Sequence, residues 1–278
     1  MKAFSSSATR LSVLGAILLA SACSPDITET DFYSRHPDDA PSVEEGPVVV
    51  GEQTVDGITV SLLRTEVLHA GYNDLMVRLE ESNGAAISNA RIAIAAIASR
   101  ASIDYEPLSF GSPVVGSSDG TADVGVLLLQ TAESDVDWTL NVAATFGNRS
   151  VSVPFDIEVS DSLWVQRVET SASNELLIAW VQPVRPQTGD TSLEFAVYRD
   201  TGVSFEAVTN AEIDLYPYMD MGGGDGHSTP YTIPEQVEPG RYRGRINFIM
   251  AGGWDLTLFV NLADEPANEI VFQGFRVQ

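Results

Sequence analysis

From Val48 onward the chain alternates short apolar runs with turn residues. Ile58-Thr-Val-Ser-Leu62, Leu75-Met-Val-Arg-Leu79, Trp138-Thr-Leu-Asn-Val142 and Val151-Ser-Val-Pro-Phe-Asp-Ile157 place apolar side chains at every second position. Gly, Asn, Asp and Pro bound these runs. A period of two with β-branched residues and closely spaced turns predicts antiparallel strands with one face on a core. No long helical period interrupts the pattern after residue 48. Ala90 to Ala98, rich in Ala and Ile, has a helix-compatible composition. Its flanking Asn89-Ala90 and its place in the repeat described next predict a strand instead.

The pattern repeats. Gly71-Tyr-Asn-Asp-Leu-Met-Val-Arg-Leu79 parallels Gly189-Asp-Thr-Ser-Leu-Glu-Phe-Ala-Val197, and Asn89-Ala-Arg-Ile-Ala-Ile94 parallels Asn210-Ala-Glu-Ile-Asp-Leu215. Ser112-Pro-Val114 parallels His227-Ser-Thr-Pro230, and Trp138-Thr-Leu-Asn-Val142 parallels Trp254-Asp-Leu-Thr-Leu258. Four anchors in the same order, offset by roughly 116 to 121 residues, predict a duplicated unit. Each copy is the size of an immunoglobulin-like sandwich. The expected fold is therefore all-β: two tandem immunoglobulin-like β-sandwich domains, 48–161 and 162–278, each with a core of its own and a boundary near Asp161-Ser162.

The first 47 residues read differently. Lys2 and Arg10 precede an apolar run, Leu11 to Ala20, too short to anchor in a bilayer, as in an export signal. The run ends in Leu19-Ala-Ser-Ala-Cys23, which resembles a bacterial lipobox, so residues 1–22 are expected to be a lipoprotein signal peptide and Cys23 the lipidated residue. Cys23 is the single cysteine of the chain. Its acylation would anchor the protein to the membrane and leave no thiol for a disulfide or for thiol catalysis. Ser24 after the cysteine points to the outer membrane, facing the periplasm. Residues 23–47 carry many acids and prolines and few large apolar side chains, the composition of a disordered tether.

Charge narrows the partners. The formal net charge is −24, and loss of residues 1–22 would remove Lys2 and Arg10 and make it −26. Lys2 is the sole lysine. Such a chain excludes nucleic acid and an anionic membrane surface as electrostatic partners. Several signatures of enzymes are missing as well: no His-Glu-x-x-His, no P-loop and no dinucleotide fingerprint occurs. The expectation is a non-enzymatic binding or accessory module, with an envelope protein as a candidate partner.

The densest chemistry lies between residues 216 and 258. Tyr216-Pro-Tyr-Met-Asp-Met-Gly-Gly-Gly-Asp-Gly-His-Ser-Thr-Pro230 is followed by Gly240-Arg-Tyr-Arg-Gly244 and by Asn247-Phe-Ile-Met-Ala-Gly-Gly-Trp-Asp-Leu-Thr-Leu258. Met219 and Met221, two apart, would share one face of a strand. Gly222 to Gly224 would turn the chain and bring His227 near, and Met250 would come from a neighbouring strand. Thioethers with one imidazole form a soft ligand set suited to Cu(I). A second reading stays open, in which the methionines fill a core and the glycines form a hairpin end. Asp220 and Asp225 do not have the spacing of an EF-hand loop. The positions of the first copy that match Met219, Met221 and Met250 fall on or near Ala98, Arg100 and Thr131, and no histidine matches His227.

This stretch resembles the FixH-like or YtkA-like β-domain of bacterial cell-envelope proteins. The resemblance is best over 189–278, with a degenerate copy in 50–160. It departs from the family pattern at Gly223, where the family places a histidine. The resemblance implies a cell-envelope role and an association with copper handling and cytochrome oxidase assembly.

Lipidation is tested directly. Cells grown with a fatty-acid analogue should yield labelled protein in the membrane fraction, and Cys23→Ser should abolish the label. Unlabelled wild-type protein that fractionates as soluble would rule the anchor out.

Overall fold

The computed structural model describes residues 46–129, 136–169, 175–263 and 267–278. The signal segment, Cys23 and the tether through residue 45 lie outside them. The described chain is all-β, as the alternation predicts. The first half supplies β1 (Val48–Val55), β2 (Ile58–Arg64), β3 (Gly71–Glu81), β4 (Arg91–Arg100), β5 (Ile103–Asp104), β6 (Leu108–Ser109), β7 (Val114–Val115), β8 (Thr121–Leu128), β9 (Val136–Phe146) and β10 (Arg149–Ile157). The second supplies β11 (Val165–Glu169), β12 (Glu175–Gln182), β13 (Gly189–Asp200), β14 (Phe205–Ala207), β15 (Glu212–Gly222), β16 (Asp225–His227), β17 (Tyr231–Glu238), β18 (Arg241–Phe248), β19 (Gly252–Asn261) and β20 (Asn268–Val277). Ala90 to Ala98 falls mostly in β4, whose residues alternate between buried Ile92, Ile94, Ala96 and Ala98 and more exposed neighbours. The Asn89 turn decides against helix there, since it sets the start of an extended run already matched to β9.

Four sheets make two sandwiches. Strands β1-β2-β3-β8 face β10-β9-β4, with β5, β6 and β7 pairing on β4. Strands β11-β12-β13-β18-β17, with β14 on β13, face β16-β15-β19-β20. The order is the same twice: β2-β3-β8 corresponds to β12-β13-β18, and β4-β9-β10 to β15-β19-β20. The repeat anchors occupy equivalent places. Gly71 and Gly189 open β3 and β13 with φ of 109° and 111°, a region that L side chains avoid. Asn89 and Asn210 precede β4 and β15 with φ of 57° and 60°, the left-handed region in which asparagine is the best tolerated non-glycine residue. Trp138 and Trp254 are buried on β9 and β19.

The two sandwiches are not beads on a string. A half-exposed sheet buries every second residue, but β12 buries six in a row, Leu176 to Val181. Leu176, Ile178 and Trp180 fill the core of the second sandwich. Leu177, Ala179 and Val181 join the apolar cluster of the first. Neighbouring β13 divides in the same way, with Phe195 and Val197 on one side and Ala196 and Tyr198 on the other. Phe205 extends the shared cluster, stacking on Trp138 with ring centroids 6.2 Å apart and lying 5.0 Å from the Tyr105 ring. Removing a Leu or Val side chain from water contributes about 1.5–3 kcal/mol, so this junction is a substantial part of the stability of both halves.

Polar groups fix the same junction. The chain between the sandwiches is pinned to the β2–β3 loop: Ala70 N–H donates to Ser160 O at 2.9 Å and Ser160 N–H to Leu68 O at 2.9 Å. The hydroxyl of Ser162 donates to Ala70 O at 2.5 Å. Buried Glu194 takes Arg241 Nε at 2.7 Å on one oxygen and Arg243 Nε at 2.8 Å on the other. Arg241 also lies 4.8 Å above the ring of Phe110, across the junction. A buried carboxylate is tolerated because both of its oxygens are paired.

Ala179, fully buried, tests the double burial. Ala179→Asp would place an unpaired charge between the sandwiches and should cost about 3 kcal/mol or more. Urea unfolding followed by tryptophan fluorescence reads this. A wild-type midpoint would show that the outer face of β12 is not covered.

Candidate functional site

The inward face of β15 carries Ile213, Leu215, Pro217 and Met219, all buried, and its outward face carries Glu212, Asp214 and Tyr216. Met219 is the last inward residue. A tight hairpin follows, because Gly222, Gly223 and Gly224 have φ of 82°, 68° and 90° and so admit three successive left-handed residues. The chain returns as β16, with Met219 paired directly opposite His227 and Asp220 opposite Gly226. Directly paired side chains in an antiparallel ladder lie on the same face, with Cβ atoms about 4.5–5.5 Å apart.

The ladder slips between Asp220 and Gly222, so Met221 is a bulged residue without a partner. Such a bulge breaks the period of two. Met221 is 56% exposed, whereas Met219 is 9% exposed. The expected shared face of the two methionines is therefore not formed, and Met221 stands apart from the candidate set. Met250 lies in the turn between β18 and β19. Its carbonyl accepts the indole N–H of Trp254 at 3.1 Å, while its side chain is 41% exposed. The methyl of Met219 lies against Gly252, where any larger residue would displace it.

His227 is held from several sides. Its ring meets the Trp254 indole edge-on, with centroids 5.5 Å apart and planes at 78°. Two residues later, the buried Thr229 hydroxyl bonds to Asn247 O, and Asn247 N–H donates to Pro230 O at 2.9 Å, which clamps this segment to the end of β18. Nδ1 of His227 lies 3.1 Å from Ser228 O. A carbonyl can only accept, so Nδ1 carries the proton and Nε2 presents a lone pair. Nε2 is buried and has no hydrogen-bond partner. The structure thus brings Met219 and His227 together, places the Met250 backbone beside them through Trp254, and turns Met221 away. Ser228 O and Gly252, which orient the imidazole and make room for the thioether, carry no signal in the sequence.

Carboxylates do not compete for this place. Asp220 Oδ1 accepts Gly222 N–H at 2.8 Å, an Asx turn that shapes the hairpin. Among the described residues, no group of three or more His, Cys, Asp and Glu side chains could hold a metal ion.

Residues 170–259 match the model of the YtkA-like family. Over this stretch the chain is similar to that family. The match covers less than half of the chain and runs from before β12 to near the end of β19, including the whole candidate site. No curated protein matches the chain. Among solved structures, domains 5–6 of the S-layer protein SbsC are 14% identical, with 84% of this chain and 98% of that chain covered and a TM-score of 0.33. FdeC, an adhesin of Escherichia coli, is 13% identical, with 82% and 66% covered and a TM-score of 0.25. The alpha-2-macroglobulin of Escherichia coli is 12% identical, with 80% and 22% covered and a TM-score of 0.28. Likenesses this distant do not bear on function.

Gly226 tests the hairpin geometry. A Cβ there would meet the Tyr218 hydroxyl and lie 2.7 Å from the backbone oxygen of Met219. Gly226→Ala should therefore force β16 away from β15 and cost about 1–3 kcal/mol, read as a lower urea midpoint. An unchanged midpoint would mean that the hairpin is not closed in this way.

Proposed function

We propose that this protein is a non-enzymatic binding module of the bacterial cell envelope, whose second sandwich holds Cu(I) through His227 Nε2 and the thioether of Met219, with Met250 as the third ligand. The observation that carries this reading is the buried, unpartnered lone pair of His227. An unsatisfied buried polar atom costs about 1–3 kcal/mol, which is retained where a ligand supplies the partner. A metal-binding imidazole commonly donates its other N–H to a backbone carbonyl, which fixes both tautomer and ring direction. The Nδ1–H to Ser228 O contact has that form.

Ligand type fits the ion. Thioether and neutral imidazole are soft or borderline donors and need no deprotonation at neutral pH, which suits Cu(I) and disfavours Mg²⁺ and Ca²⁺. Met219 and His227 stand opposite each other in the ladder, and Met250 follows the strand end that Trp254 ties down. Met221 does not belong to the set. On this reading Trp254, in edge-on contact with the His227 ring, and Gly252, against the Met219 methyl, hold the two ligands in place, and the YtkA-like match over these residues supports an envelope role. Anchoring through lipidated Cys23, with the sandwiches on the periplasmic side of the outer membrane, completes the reading. A protein-interaction role without metal is the second reading. It is favoured by exposed Tyr216, Ile233, Val237 and Ile249 on the second sandwich, apolar side chains of the kind an envelope protein partner would cover.

Competition with a colorimetric Cu(I) chelator decides between them. The wild-type chain should bind one equivalent. His227→Ala, and Met219→Leu, which keeps the side-chain volume, should each weaken binding by about tenfold or more, a loss near 1.4 kcal/mol. Met221→Leu should bind as wild type. Equal Cu(I) affinity in wild type and His227→Ala would remove the site and leave the interaction module.

A further inference from the structure

Nε2 of His227 is closed off from solvent, so an ion that reaches it needs a path that the closed structure does not offer. The surrounding elements differ in how firmly they are held. Trp254 is 1% exposed, meets Phe248 edge-on with ring centroids 5.5 Å apart and donates its indole N–H to Met250 O at 3.1 Å. Met219 belongs to the core of the second sandwich. Neither can move without opening that core. The exception is β16, which is three residues long and lies at the outer end of its sheet, next to β15. Its Asp225 and Gly226 are exposed and His227 is half-buried.

Both ends of β16 are free to turn. Before it stand Gly222, Gly223 and Gly224, and a Cβ built on any of the three would meet no atom within 4 Å. The turn is therefore unpacked, and glycine crosses between left- and right-handed backbone without steric cost. After it, the chain is first held at Thr229, whose hydroxyl bonds to Asn247 O, and at Pro230 O, which accepts Asn247 N–H at 2.9 Å. Ser228 lies between His227 and that clamp. The ladder to β15 is short and slips at Met221, leaving the pairs Met219–His227, Asp220–Gly226 and Gly222–Asp225. A segment with few buried apolar contacts and exposed backbone bonds opens at a free energy well below that of the whole domain.

We infer that β16 is the gate of the site: it swings off β15 about the glycine turn, carries the His227 imidazole away from Trp254 into solvent, and closes again with the ion bound. The inference rests on the Cu(I) reading and adds how the site fills. Ser228 lies inside the moving segment, so the Nδ1–H to Ser228 O bond is kept and Nε2 stays the free nitrogen. Met219 remains on β15 as the fixed half of the site. Only the open fraction accepts the ion, so the observed association rate is the intrinsic rate multiplied by that fraction. The empty and the loaded protein share the closed hairpin. Strain in the hairpin therefore changes how fast the ion enters and leaves, and not how tightly it is held.

Gly223→Ala tests the gate. Alanine at a φ of 68° strains the closed hairpin, and with no atom near the added Cβ it does so without a clash. Amide hydrogen exchange of the full chain, read by mass spectrometry, should rise about tenfold for residues 225–227 and stay unchanged in β19. Gly147→Ala places the same kind of strain, at a φ of 56°, in the hairpin between β9 and β10, and should leave β16 unchanged. In stopped-flow transfer of Cu(I) from a colorimetric chelator, Gly223→Ala should fill about tenfold faster than wild type, at the same affinity. Exchange in β16 as slow as in β19, or a wild-type filling rate in a Gly223→Ala chain whose exchange has risen, would overturn the gate. Wild-type protein that takes up no Cu(I) would overturn the Cu(I) reading and the gate's cargo with it. Exchange separates that case, because a rise confined to β16 keeps the moving hairpin and its absence removes the hairpin as well.

Discussion

The double burial of β12 and β13 is the constraint on which the rest of the molecule depends. One face of each strand fills the second core and the other closes the first. Separating the sandwiches would expose Leu177, Val181, Ala196 and Tyr198 together, an apolar patch that isolated soluble domains seldom present. The relative placement of the two halves is therefore set by packing, and the pinned segment around Ser160 and the Glu194–Arg241–Arg243 cluster add direction to it.

The second sandwich solves a different problem at its open end. Strand edges attract other strands unless they are blunted. Here β15 carries Pro217, which has no N–H, and Asp214, whose carboxylate takes the Leu215 N–H at 2.8 Å. Edge strand β17 carries Pro234 and two irregularities in its pairing with β18. What stays available at this end is side-chain chemistry at the hairpin, where Met219 both closes the core and presents a thioether. The two readings of the methionines, core filler and ligand, are not exclusive at this residue. At Met221 the core-filler reading fails, since the bulge leaves its side chain exposed.

Much of this was legible in the sequence for identifiable reasons. Alternation gave the strands because most of them bury one face. The duplicated order was visible because Gly71, Gly189, Asn89 and Asn210 occupy backbone conformations that few residues tolerate, so the turns keep their signatures where the strands between them diverge. The six-residue apolar run from Leu176 to Val181 was a visible departure from alternation, but its cause, a second sandwich on the far side, is a tertiary fact. The pairing of Met219 with His227 followed the glycine turn as expected. The bulge at Met221 did not, since a period of two assumes an unbroken ladder and nothing in Asp220-Met221-Gly222 announces the extra residue. The free lone pair of His227 depends on Ser228 O, a backbone atom without any sequence signal.

Charge alone cannot explain which cation the proposed site at the hairpin would select. A chain of net charge −24 gathers all cations, and hydrated divalent ions gain most from it. Selection must come from donor chemistry there. The hairpin offers sulfur and imidazole, with Asp220 already spent on the Gly222 N–H, so a hard ion loses its water without gaining oxygen ligands. On the Cu(I) proposal, donor softness at the hairpin rather than net charge would set which cation the acidic chain holds there.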